Sequence, residues 1–206
     1  MTAMSPNPTR RSLHGIAELL LAGPQYRRCG EIALRVAGGG FATAFEPALL
    51  FDGHAVVAGN ERTEVAGLSY VDVAAALGVT AGEPAGVYKD GSGARPDDLI
   101  ELDGAVAAGI TAAFAAGDEA LRLLAPGETP ILWPEHFDVG VTLGGVDYGL
   151  APGDGHVPEP YAYVGPHTPL PGAFWNMPFG AARPVRELGS ARAILDFFET
   201  GRRLAE

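Results

Sequence analysis

The pattern that most constrains the fold is one the chain carries twice. Setting Glu31 against His136, an offset of 136 − 31 = 105, aligns much of the next seventeen residues by type. Ile32, Leu34 and Val36 fall on Phe137, Val139 and Val141, and Gly39-Gly40 falls on Gly144-Gly145. Phe41 meets Val146, Phe45 meets Leu150 and Pro47 meets Pro152; after a three-residue shift Asp52-Gly53-His54 meets Asp154-Gly155-His156. Apolar residues at every second position read as a half-buried strand, while Gly-Gly and Asp-Gly pairs read as hairpin turns. Each copy follows a helical stretch and precedes a Ser-capped one. A unit of this kind has one apolar sheet face to bury, which two copies can bury together. The expected fold is α+β: two pseudo-repeated halves of short antiparallel strands with flanking helices, packed into one compact body. The boundaries follow as a flexible tail over 1–11, a first repeat over 12–102 and a second over 103–206.

The helices have their own punctuation. Ser12 can cap a helix whose Leu13, Ile16, Ala17, Leu20 and Leu21 recur at helical spacing, and Gly23-Pro24 should stop it. Ser69, with Asp72 three residues on, caps a helix to Leu77 that Gly78 terminates. Residues 79–102 are turn-rich and read as a surface connection. Asp103 caps a longer helix to Leu124, in which Gly109 and Gly117 predict close packing against a neighbour. Ser190 begins a last helix with Ile194, Leu195, Phe197 and Phe198 on its apolar side, closed by Gly201.

Composition narrows the function classes. With 47 % hydrophobic and 19 % charged residues over 206 positions, the chain can build a core. A net charge of −11 repels phosphate backbones, so neither nucleic acid nor an anionic membrane is an expected partner. Cys29 is the only cysteine and reads as a small buried or half-buried residue, with no intrachain disulfide to form. His14 and Glu18 interrupt the apolar run that follows Arg10-Arg11, so the start does not read as a signal peptide, and a cytoplasmic location is expected.

The second copy carries the chemistry. Where the first has Glu31, Ala33 and Arg35 on the polar face of its strand, the second has His136, Asp138 and Gly140. Two residues apart on a strand, His136 and Asp138 share a face, so Asp138 can orient a basic imidazole. Glu135, on the opposite phase, can be desolvated into an acid, and Tyr163 can donate a proton or hydrogen bond. Trp133, Tyr161 and Trp175 offer aromatic lining, and Asn176 and Arg183 can bind an anionic group. The expected function is binding of a small organic molecule, with His/carboxylate acid–base catalysis open and no cofactor. The plain alternatives are that His136 and Asp138 bond each other on a solvated sheet face and that the aromatics fill the core. Two other classes stay open: a non-catalytic interaction or structural protein, and a metal-dependent enzyme using His136, Asp138 and His156. A homodimer also stays open.

Leu132-Trp133-Pro134-Glu135-His136-Phe137-Asp138, followed by Pro152-Gly153-Asp154 and Pro158-Glu159-Pro160-Tyr161-x-Tyr163-Val164, resembles a family of uncharacterised, mostly actinobacterial proteins. The likeness covers about residues 130 to 200 and implies no activity and no catalytic roles.

Overall fold

A computed structural model describes residues 7–206. The chain is α+β with antiparallel strand pairing, and it divides into two units: 1–112 with 132–137, and 113–131 with 138–206. The division falls inside a helix, between residues 112 and 113. Residues 1–6 of the expected tail lie outside the described part.

The first unit begins with one helical run: α1 (Pro8–Gly15), a π-helical turn (Ile16–Ala22) and α2 (Gly23–Cys29). Its N-cap is Asn7, whose side chain accepts from Arg10 N, with Pro8 pre-set for the first turn. Ser12 therefore sits inside the helix, where its Oγ accepts from Glu101 N at 2.9 Å. Gly23-Pro24 does not stop the run, because the wider π turn takes in a proline that has no N–H to give. Leu13, Ile16, Ala17, Leu20 and Leu21 are fully buried, and the π turn lies against β1 (Leu34–Ala37), β2 (Gly40–Thr43) and β3 (Leu49–Phe51). The meander continues through β4 (Ala55–Ala58) to β5 (Glu61–Glu64), an edge strand whose charges blunt strand addition. Then come α3 (Tyr70–Ala76), capped by Ser69 as expected, and α4 (Gly104–Leu124), whose amides at Ala105 and Val106 bond Asp103. Past α4 the chain supplies β6 (Ile131–Trp133), paired with β1 at Leu34–Leu132.

The second unit is a four-stranded meander: β7 (Asp138–Leu143), β8 (Val146–Ala151), β9 (Tyr161–Pro166) and β10 (Ala181–Pro184). After it come α5 (Val185–Leu188) and α6 (Ala191–Ala205). Ile194, Leu195, Phe197 and Phe198 of α6 are buried as expected, with Phe198 edge-on to Tyr148 of β8 at 6.0 Å. Gly201 does not close α6. It lies within the helix, buried, where a side chain would overlap Val164 of β9. Gly117 of α4 likewise leaves room for Leu150 of β8, whereas Gly109 has nothing near it.

The repeated motifs take matching conformations. Gly38 and Gly39 turn β1 into β2 with φ of 58° and 80°, and Gly144 and Gly145 turn β7 into β8 with φ of 57° and 79°. These left-handed pairs are what a two-residue hairpin needs, and few residues but glycine supply them. Both Asp-Gly-His turns close on the aspartate. Asp52 Oδ1 accepts from His54 N and Ala55 N at 3.0 and 2.8 Å, and Asp154 Oδ1 from His156 N and Val157 N at 2.7 and 2.9 Å. Past that point the copies diverge, since β4 starts at Ala55 whereas β9 starts only at Tyr161.

Candidate functional site

One set of ionisable groups in the first unit gathers around the helical run. Glu18, in the π turn, is 2 % exposed, a rare place for a carboxylate. Ser92 satisfies it twice, donating from its backbone N at 3.0 Å and from its hydroxyl, both to Oε2. The segment carrying Ser92 is the turn-rich surface connection expected, and Ser92 ties it to Glu18. Gly91 lets its backbone lie on the Glu18 carboxylate, and Arg11 holds it from the other side through Gly93 O at 2.6 Å and Asp98 at 2.8 Å. That bond to Arg11, with further bonds to Arg95, pulls the Asp98 carboxyl down to about 2.

One turn before Glu18, His14 places Nε2 2.7 Å from Pro134 O. A carbonyl only accepts, so Nε2 carries the proton and Nδ1 keeps its lone pair. The ring stacks on Phe137 at 5.4 Å with planes 10° apart. Burial lowers the His14 pKa, against the opposing pull of the Pro134 bond and of Glu18. Phe137 adopts φ 55° and closes a single helical turn through its N to Trp133 O at 2.8 Å. That turn is what aims Pro134 O at His14.

Tyr88 completes the group. Its hydroxyl is buried close to Glu18 and makes no hydrogen bond of ordinary geometry. Burial first, then the charge of Glu18 and its closeness to the hydroxyl, then the charges of Glu135 and Glu83, push its pKa up, so it holds its proton and can only offer it in a hydrogen bond. A shielded carboxylate, a neutral imidazole with a lone pair and a buried phenol beside the carboxylate can together grip a hydrogen-bonding molecule and move a proton.

The residues singled out from sequence fare differently. His136 is not on a strand: it lies in the Pro134–Phe137 turn, its side chain 68 % exposed and Nδ1 3.7 Å from the half-buried Glu135. The left-handed Phe137 breaks the two-residue alternation, so the shared strand face of His136 and Asp138 does not exist. Glu135 and His136 belong to the first unit, close enough to act electrostatically on Tyr88 and His14 respectively. Trp133 ends β6 with its surface exposed.

Asp138 and Tyr163, in the second unit, do meet. The Tyr163 hydroxyl donates to Asp138 Oδ2 over Gly140 and Gly149, which leave it room. Burial, then the Asp138 charge, raises Tyr163 well above its ordinary range, which suits a donor and not an acid. Tyr161 donates to Asp154 at 2.6 Å, its ring 6.3 Å from that of Tyr163. Asn176 is occupied by backbone, taking Ala182 N at 3.0 Å and giving to Ala182 O at 3.2 Å. Trp175 packs edge-on to Phe174, and Arg183 is exposed on β10. The exposed His156 lies edge-on to Phe179. Among the described residues no group of three His, Cys, Asp or Glu side chains is placed to hold a metal ion, so His136, Asp138 and His156 form no such set. Cys29 is exposed rather than buried.

The sequence did carry one signal for the first-unit group. His14 and Glu18 stand four apart in the otherwise apolar run Leu13–Ala22, hence on one face. Tyr88 and Ser92 left none, because only the fold brings them there. No family model matches this chain, and no curated protein and no solved structure matches it either.

Proposed function

We propose that this protein binds a small organic molecule through the group His14, Glu18, Tyr88, Glu135 and His136, with acid–base chemistry available from His14 and Glu18. The observation that carries the reading is the Tyr88 hydroxyl, buried beside a buried carboxylate and without a hydrogen bond of ordinary geometry. Unpaired buried donors are costly, and they persist where a ligand or a reaction uses them. The π turn that carries Glu18 supports it, since such turns recur at functional sites. His14 Nδ1 is the base, Tyr88 the hydrogen-bond donor and Glu18 the charge that favours a protonated imidazole. His136 and Glu135 stand at the exposed side. The test is ligand-observed NMR with acetate, methylamine, acetamide, phenol and glucose at millimolar concentration. Binding of one of these that is lost in Tyr88→Phe and Glu18→Gln supports the site. Binding unchanged in both variants, or binding of none, overturns it.

A further inference from the structure

We infer that Pro24, which lies outside this group, is the positioning residue that seats the segment carrying Tyr88 and Ser92 over Glu18. The inference rests on the site proposed above and on the backbone bonds through the π turn. Gly23 N donates five residues back, to Glu18 O. The next amide in that register would donate to Leu19 O, but position 24 is a proline and has none. Leu19 O is therefore left over inside the first unit, and Gly82 N takes it at 3.0 Å. An amide at position 24 would end this. In the π register it would claim Leu19 O itself; in the α register Gly23 N would. Either way Gly82 loses its acceptor.

Two neighbouring features fit the same seat. Gly23 has no side chain, and one there would overlap the Gly82 carbonyl. Arg27, a turn further on, gives its guanidinium to Gly82 O at 3.3 Å and to Thr80 O. From Gly82 the chain runs on through Tyr88 to Gly91 and Ser92, which close on Glu18. The helical run is also fixed at both ends. Thr9 and Ser12 accept from Asp103 N and Glu101 N, and Gln25 bonds Glu31 O, Ala33 O and Phe45 N. An α turn in place of the π turn would rotate one end about 100° against the other. The π turn reconciles the two, and Pro24 leaves its spare carbonyl, Leu19 O, to Gly82 N.

Pro24→Ala tests this without adding bulk. Amide exchange at Gly82 should quicken at least tenfold, and Ser92 should follow, while Phe45, held by Gln25, stays protected. The His14 titration, followed by NMR, should move up toward its ordinary range as the segment lifts. Gly91→Ala serves as the comparison. Its side chain displaces the segment from Glu18 directly, so it should shift His14 in the same way yet leave Gly82 protected. If Gly82 exchanges in Pro24→Ala as in the parent, the inference is overturned whatever the fragments do. If Gly82 is released but His14 and any fragment bound by the parent are untouched, Pro24 seats a loop and not the site. If the parent binds no fragment while Gly82 and His14 respond as stated, the ligand reading fails and the seating by Pro24 stands.

Discussion

His14 is buried in its neutral form, which fixes the sign of its effect on stability. Its folded pKa lies below the ordinary 6.5, so between the two values the unfolded chain binds a proton that the folded chain does not. Stability therefore falls as pH drops through about 6.5 and goes on falling until folded His14 itself takes the proton. His14→Gln keeps a donor for Pro134 O and removes the titration. Its urea-unfolding free energy should vary less than that of the parent from about pH 7 to about pH 5. Equal slopes would mean that His14 is not held neutral. Gln25 is the other buried polar residue that matters here, fully enclosed and bonded to three backbone groups. Gln25→Ala strands those groups and should cost roughly 2–4 kcal/mol in chemical denaturation, at about 1 kcal/mol for each bond lost and more where water cannot enter.

Among the elements, α4 separates two glycines that look alike in sequence. Gly109 is exposed with open space around it, so Gly109→Ala should stabilise by up to about 1 kcal/mol through helix propensity. Gly117 lies under Leu150, and Gly117→Ala should destabilise by about 1–3 kcal/mol through overpacking. Thermal unfolding of the pair tests both signs. The outer edge of β10 shows how a strand end is closed. Gly180 pairs with Met177 in both directions, the Asn176 amide covers Ala182 N and O, and Pro184 has no N–H. Asn176→Ala reopens the middle of that edge. It should lose about 1–2 kcal/mol and associate with rising concentration in sedimentation velocity. A variant that stays monomeric would show that Met177 and Pro184 suffice.

For the whole molecule, 25 acidic against 14 basic residues leave a net −11, while most of the ion pairs are solvent-exposed and individually weak. Self-repulsion should then outweigh those pairs at low ionic strength. Moving from about 10 mM to about 500 mM NaCl should raise the Tm by about 2–4 °C, corresponding to about 1 kcal/mol. A falling Tm would mean that the pairs dominate. No helix among the described residues is long and apolar enough to cross a membrane, despite the buried run Leu13–Ala22.

What the sequence by itself determined was local. The Gly-Gly hairpins, the Asp-Gly-His turns, the Ser69, Asp103 and Ser190 caps and the apolar side of α6 each depend on a few adjacent residues whose dihedral limits and hydrogen bonds act within a turn or two. The α+β class follows from their order. Tertiary structure decided the rest. Pro24 reads as a helix stop until a distant amide takes the carbonyl it leaves free, and Phe137 reads as strand until its left-handed turn directs Pro134 O toward His14. Tyr88 and Ser92 come to Glu18 from some seventy residues away in sequence, where no periodicity reaches. Local conformation is set by neighbours in the chain, whereas a site is set by which carbonyls, donors and charges the fold leaves for distant segments to satisfy.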